Sequence, residues 1–82
     1  MGRYDELDAA IKRLIQTDPR SFCEIRFHPE IWEIARILHR EDGFKTDYYR
    51  YIDRRLQAMR KAGLIVFVRP YWALKDLANA PA

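Results

Sequence analysis

The chain has 82 residues, enough for one small domain with a single hydrophobic core, and its net charge is only +3. Its apolar fraction of 49% and aromatic fraction of 13% exclude a disordered chain, and its longest uninterrupted apolar run, residues 64–68, is too short to cross a bilayer. The single cysteine, Cys23, excludes an internal disulfide, and the start of the chain lacks the pattern of a secretory signal, so we expect a cytoplasmic protein without membrane contact.

The net charge is divided unequally between the two halves of the sequence. Residues 1–42 carry 7 basic and 9 acidic side chains, whereas residues 43–82 carry 8 basic and 3 acidic side chains. This asymmetry indicates that a polyanion or an acidic partner meets the C-terminal half. On charge alone, an ordinary solvated helix face explains the asymmetry equally well.

The first predicted helix covers residues 5–16. Apolar side chains recur there at helical spacing, and acidic side chains occupy the first turn. The helix ends before Pro19, because the residue that precedes a proline is biased away from the helical region. Residues 21–27 then alternate partly between apolar and charged side chains, which predicts a connector with a short strand.

The second predicted helix covers residues 29–41. Pro29 suits the first helical position, Glu30 complements the helix dipole, and Asp42-Gly43 ends the helix by turn chemistry. Four apolar side chains at helical spacing form its buried stripe: Ile31, Ile34, Ala35 and Leu38. We expect Phe44 to fill the following turn against the core.

The third predicted helix covers residues 47–62. Thr46 is a good N-cap, Asp47 places a negative charge in the first turn, and Gly63 supplies the left-handed residue that commonly follows a helix. One face packs, through Tyr49, Ile52, Leu56 and Met59. The opposite face is a row of hydrogen-bond donors, namely Arg50, Arg54, Gln57 and Lys61.

A β-hairpin is predicted over residues 64–75, with a break at Arg69-Pro70. Because a two-residue primed turn requires positive φ, which proline cannot adopt, we expect a slightly longer turn. One face of the hairpin carries Ile65, Phe67, Trp72 and Leu74, and the other carries Leu64, Val66, Val68, Tyr71 and Ala73. Both faces are apolar, so one covers the helices and the other needs a cover from residues 76–82 or from a second subunit.

This succession of helix, helix, turn, helix and hairpin resembles the winged helix-turn-helix domains of microbial transcription regulators. The resemblance covers residues 31–74. It is carried by Ile34-Ala35-x2-Leu38 and by Ile52-x3-Leu56-x2-Met59-Arg60-Lys61-Ala62-Gly63-Leu64-Ile65. It implies an α+β, mainly α fold with three helices and a C-terminal β-hairpin wing, in a single domain over residues 1–82.

The resemblance also implies sequence-specific binding of double-stranded DNA, with residues 47–62 as the recognition helix of a transcription regulator. Base-edge candidates are Arg50, Arg54 and Gln57, since arginine pairs with guanine and glutamine with adenine. Phosphate or sugar contacts are expected from Lys45, Thr46, Tyr48, Tyr51, Arg55, Lys61 and Arg69.

Three features depart from the family pattern. The turn before the third helix is about three residues longer than the turn in the compact form of these domains. The hairpin tip has no glycine, and it offers only Arg69 to a phosphate. Asp47 and Asp53 lie near the expected DNA face, where they repel phosphates unless they pair with Arg50 or Gln57.

Two other functions fit the same sequence. One is a winged-helix protein–protein interaction module without DNA binding, which uses the apolar hairpin and the Trp72 region against a homodimer partner or another protein. The other is an RNA or single-strand binder that stacks bases on the tyrosines at 48, 49 and 51. Trp32 and Trp72 are expected to be core anchors.

The sequence contains no motif for catalysis or for metal binding. It lacks a G-x-S-x-G segment, a phosphate loop and a pairing of nucleophile with base. The side chains of Cys23, Glu24, His28 and His39 lack the CxxC or HxxxH spacing of metal sites. We therefore expect no enzymatic activity and no cofactor.

Overall fold

The structure is a computed structural model that describes Gly2 and residues 4–75. In chain order, the elements of this part are α1 (Asp5–Thr17), β1 (Arg20–Ser21), α2 (Phe22–Arg26), α3 (Pro29–Glu41), α4 (Tyr49–Lys61), β2 (Ile65–Val68) and β3 (Tyr71–Leu74). The predicted α+β, mainly helical class with a C-terminal hairpin is confirmed, and the layout is compatible with a winged helix. None of the helices described is long and apolar enough to cross a membrane.

A fourth helix, α2, corrects the three-helix prediction. The connector with a short strand predicted over residues 21–27 is wrong for most of that range: β1 covers Arg20–Ser21, and residues 22–26 are helical. Ser21 then begins α2 with a capping box: its hydroxyl accepts a hydrogen bond from the Glu24 N–H at 3.2 Å, and the Glu24 carboxylate accepts one from the Ser21 N–H at 3.1 Å. The bond from the Ser21 N–H to the carboxylate is the largest cause that lowers the pKa of Glu24.

Glycine follows the ends of α3 and α4, as predicted. Gly43 follows α3 with φ +73°, and Gly63 follows α4 with φ +79°. Beyond Gly63, the N–H of Leu64 bonds to the carbonyl of Met59 at 3.0 Å, which is the bond of a Schellman motif. The backbone therefore leaves α4 in a fixed direction toward the hairpin.

Phe44 does not fill the turn after α3, so that expectation is wrong. Its backbone is left-handed, with φ +61°, and its side chain is 65% exposed. The ring meets the edge of His39 at a centroid distance of 4.9 Å. Two successive left-handed residues, Gly43 and Phe44, turn the chain outward, which explains why the ring stays at the surface.

The sheet has three antiparallel strands in the order β1-β3-β2. Its register pairs Ile65 with Leu74 and Phe67 with Trp72, so the predicted division of the hairpin into two faces is confirmed. The longer turn expected at the tip is wrong: Val68 pairs with Tyr71, so the loop has only two residues, Arg69 and Pro70, and the peptide bond between them is cis.

The core lies between α1, α3, α4 and the face of the hairpin that carries Ile65 and Trp72. Its largest fully buried side chains are Leu7, Ile11, Ile15, Ile25, Ile31, Ile52, Leu56 and Ile65. Trp72 is a core anchor as expected, whereas Trp32 is only half-buried. On the other face of the hairpin Val68 and Tyr71 are exposed, and the cover expected from residues 76–82 lies outside the residues described.

Candidate nucleic-acid interface

The outward face of α4 carries the predicted row of donors. Arg50, Arg54 and Lys61 are exposed, and Gln57 is half-buried beside them. Ile52, Leu56 and Met59 lie on the other side of the helix and are fully or almost fully buried. The 100° spacing of helical residues thus places the packed side chains and the exposed donors on opposite faces of α4, as the sequence predicts.

The three cations of this face are not neutralised within the protein. In the part of the chain that the structure describes, the side chains of Arg50, Arg54 and Lys61 have no ion-pair or hydrogen-bond partner, and the alternative of pairing with the Asp47 or Asp53 carboxylate is not found. An arginine without a carboxylate partner keeps its five N–H donors for an external acceptor.

Gln57 is oriented by a neighbour that the sequence analysis did not assign to the site. The Arg60 Nε–H donates a hydrogen bond to the Gln57 side-chain oxygen at 3.1 Å. The two residues are three positions apart on one helix, so their contact follows from sequence spacing. This bond limits the rotation of the Gln57 amide and uses only its oxygen, so the NH₂ group keeps its donors.

The start of α4 differs from the prediction. Thr46 is not the N-cap and Asp47 is not in the first helical turn, since α4 begins at Tyr49 and the position before it has no side-chain cap. Instead, the Arg50 N–H bonds to the Asp47 carbonyl at 3.1 Å. A tight turn with i to i+3 bonding replaces the expected cap.

Lys45 and Thr46 nevertheless lie next to the donor row. They line two shallow surface depressions, one shared with Arg50 and the other with Arg54. The Thr46 hydroxyl is buried and has no hydrogen-bond partner among the residues described. Carboxylates of Glu41, Asp42 and Asp47 share these depressions, so the basic character there is partly offset.

Tyr51 does not present its side chain to a ligand, which corrects its assignment to the contact set. It is 3% exposed and its hydroxyl donates a hydrogen bond to Asp42 Oδ2 at 2.5 Å. The buried face of α4 is wider than the stripe of Ile52, Leu56 and Met59, because α3 also packs against the helix. Tyr51 lies on that added part of the face.

The assignment of Arg55 to the phosphate or sugar contacts is also wrong. Its Nε and Nη2 atoms donate hydrogen bonds to the two carboxylate oxygens of Asp8, each at 2.8 Å, and its guanidinium lies 5.3 Å from the Tyr4 ring centroid. The bonds to Asp8 raise the pKa of the Arg55 guanidinium further above its ordinary range. This pair ties α4 to α1 and is already satisfied inside the protein.

Two further predicted contacts lie at the edges of the interface. Tyr48 is half-buried, with its ring edge-to-face against Trp32 at a centroid distance of 6.3 Å. Arg69 is exposed at the hairpin turn. An open groove of about 780 Å³ separates the hairpin from α4, with Gln57 and Arg60 on one wall and Phe67 and Pro70 on the other. The structure does not bring Arg69 against the donor row.

The described residues contain no group of three His, Cys, Asp or Glu side chains arranged to hold a metal ion. Comparison of the chain with protein-family models, with curated proteins and with solved structures gives no match.

Proposed function

We propose that this protein binds double-stranded DNA through the outward face of α4 and acts as a sequence-specific transcription regulator in the cytoplasm, without catalysis or a cofactor. One observation carries the proposal: among the described residues, the exposed side chains of Arg50, Arg54 and Lys61 have no partner, while the opposite face of α4 is buried. An α-helix with its side chains is about 10–12 Å in diameter, which fits the width of a DNA major groove. The helix α4 has 13 residues and is fixed on a folded core.

The proposed roles follow from position along α4. Arg50 and Arg54 lie in its N-terminal half, where recognition helices meet base edges, and each can pair with a guanine through two hydrogen bonds. Gln57, oriented by Arg60, is suited to adenine. Lys45 and Lys61 lie near the two ends of the row and contact phosphates. Tyr51 and Arg55 are no longer part of the proposed contact set.

Duplex binding across a salt series tests the proposal. A site is first selected from a random duplex library, and the affinity is then measured between about 50 and 200 mM salt. The two phosphate contacts of Lys45 and Lys61 give a slope of about −1.8 in a plot of log affinity against log salt concentration, and each further phosphate contact adds about −0.9. No selected site, or an affinity that does not change with salt, contradicts the proposal.

Arg54→Ala tests the assignment of the base contact. We expect it to cost about 1 to 3 kcal/mol of discrimination at one base pair, with thermal stability close to that of the parent. The control is Lys12→Ala, which removes the same charge from the exposed side of α1. Equal affinity of parent and Arg54→Ala removes Arg54 from the interface.

The hairpin supports a second candidate function, self-association. Val68 and Tyr71, which pair across the two strands on one face near the tip, are 58% and 46% exposed, and Phe67 on the other face is 46% exposed. Exposed apolar side chains on both faces of a hairpin tip favour an interface. β2 is an edge strand of four uncharged apolar residues. Such an edge can pair antiparallel with the same edge of a second copy about a two-fold axis.

Light scattering over a range of concentrations separates the two candidates. We expect the parent to dimerise and Val68→Lys, a charge at the most exposed of the three positions, to remain monomeric. A parent that stays monomeric at high concentration contradicts the hairpin interface. A parent that dimerises but does not bind DNA favours the protein-interaction function over DNA binding.

A further inference from the structure

Arg26, in the last turn of α2, lies among three aromatic rings from two helices and a turn. Its guanidinium carbon is 4.6 Å from the Phe27 ring centroid, 5.4 Å from that of Tyr49 and 6.0 Å from that of Phe22. A guanidinium is attracted to the faces of aromatic rings at such distances. The rings therefore hold the Arg26 side chain in place before any ligand arrives.

Tyr49 is itself held by further packing. Tyr49 meets Tyr48 edge-to-face at 6.1 Å, and Tyr48 meets Trp32 of α3 at 6.3 Å. These contacts join α2, α3 and the start of α4 into one platform. Phe27 is 55% exposed, but the other rings are half-buried, so the position of Arg26 relative to α4 is set by several elements together.

The charge of Arg26 is not neutralised by the described residues. No carboxylate among them lies within ion-pair distance, and its Nε is buried without a hydrogen-bond partner. The Nη groups are not buried in this way, so they keep their donors at the surface. A half-buried cation without a counter-ion favours binding of an anion, because burial weakens the competing hydration by water.

Arg26 lies beside the first turn of the proposed recognition helix. Tyr49, which it contacts, is the first residue of α4 and lies about 100° around the helix from Arg50. This direction is the flank of α4, between the buried face and the donor row. When a helix lies in the major groove, side chains on the flank near its N-terminus face the sugar-phosphate backbone at the edge of the groove.

We propose that Arg26 binds a backbone phosphate of the DNA that α4 reads. This inference rests on the proposed function and adds α2 to the interface. The planar guanidinium matches two phosphate oxygens through parallel N–H bonds, and its stacking on aromatic rings fixes the angle of approach. The contact positions the protein on the duplex and carries no sequence information.

The test compares Arg26→Met and Arg26→Lys with the parent on the duplex selected with the parent. Methionine keeps an unbranched stem against the rings but removes the charge, and lysine keeps the charge but loses the planar fork. Lys12→Met is the control, because α1 contacts α4 through Arg55, on the side away from the donor row. Circular dichroism melting checks that each variant is folded.

We expect Arg26→Met to bind about tenfold more weakly near 0.1 M salt. The magnitude of its salt slope should fall by about 0.9, the value for one phosphate contact. Arg26→Lys should keep the slope and lose part of the affinity, and Lys12→Met should match the parent in both. In the parent, the side-chain Nε–H NMR signal of Arg26 should shift during titration with the duplex, so the inference can be tested even if Arg26→Met does not fold.

The other outcomes separate this inference from the proposed function. An Arg26→Met variant with the parent's affinity and slope overturns the phosphate contact and leaves the role of α4 intact. Weaker binding with an unchanged slope, or an unmoved Nε–H signal, shows that Arg26 only supports the fold, which also overturns the contact. A parent that does not bind the duplex overturns both proposals together.

Discussion

Arg55 and Arg54 are adjacent in sequence but differ completely in their surroundings. Arg54 is exposed in the donor row, whereas both oxygens of Asp8 are hydrogen-bonded to Arg55. Helical spacing predicts that Arg54 is exposed, since this depends only on residues within a few turns of α4. Helical spacing does not predict the pairing of Arg55 with Asp8, because Asp8 is 47 positions away in the chain.

We predict that Asp8→Asn and Arg55→Met each destabilise the protein by about 1 to 3 kcal/mol, because each leaves a partly buried charged group without its partner. The double variant should lose less than the sum of the two. Urea denaturation measures all three.

DNA binding is the second readout for this pair. Arg55→Met should leave the salt slope unchanged, since Arg55 is already bonded within the protein. A slope reduced by about 0.9 would return Arg55 to the phosphate contacts and contradict the structural role assigned to the pair.

At the scale of elements, the sequence contains a signal for the start of α2, but the helix is not among the predicted elements. The Ser21-x-x-Glu24 spacing is a capping box, but a five-residue helix is too short to show helical periodicity. The prediction for the start of α4 is wrong for the opposite reason: the sequence pattern is present, but the structure is not. Thr46-Asp47 has the residue types of a cap, but the chain forms a tight turn there instead, a choice that depends on packing around the α3–α4 connection.

Ser21→Ala should destabilise the protein by about 1 kcal/mol, because the first turn of α2 loses the oxygen that accepts the Glu24 N–H. The measurement is thermal or urea unfolding. A free energy of unfolding equal to the parent's would mean that α2 adds nothing to the stability of the domain.

Glu24 should make the same element sensitive to acid. Its pKa in the folded protein lies below the ordinary value of 4.5, mainly because its carboxylate accepts the Ser21 N–H. The stabilisation is therefore fully present above pH 4.5 and is lost as the pH falls through the lower folded value. We expect the stability difference between parent and Glu24→Gln to shrink over that acid window. A difference that stays constant would contradict the capping role of the carboxylate.

Gly63 gives a prediction about the link between α4 and the hairpin. An added Cβ would meet no heavy atom closer than Lys75 Nζ at 3.9 Å, so the cost of Gly63→Ala comes from its φ of +79° and not from crowding. We expect a loss of about 1 to 2 kcal/mol in the free energy of unfolding, and a smaller loss for Gly63→Asn. Equal losses for alanine and asparagine would argue against a conformational cause.

For the whole molecule, local signals predicted more than distant ones. The helix ends at Gly43 and Gly63 and the hairpin faces follow from residues that are close together in the chain. The pairing of β1 with β3 joins Arg20 to Trp72, and two strand residues carry no pattern that identifies such a partner. The platform around Arg26 was missed for the same reason, because its rings come from separate segments.

Leu56→Ala tests how the core and the proposed interface share one helix. Leu56 is 0% exposed at the centre of the buried face of α4, so truncation should cost about 2 to 5 kcal/mol. This is a large part of the stability of a small domain, and a melting temperature within a few degrees of the parent's would contradict the packing. Arg54→Ala, two positions earlier, should leave the melting temperature nearly unchanged and weaken DNA binding. If both variants altered stability alone, the outward face of α4 would have no demonstrated ligand, and the exposed hairpin would become the stronger candidate for function.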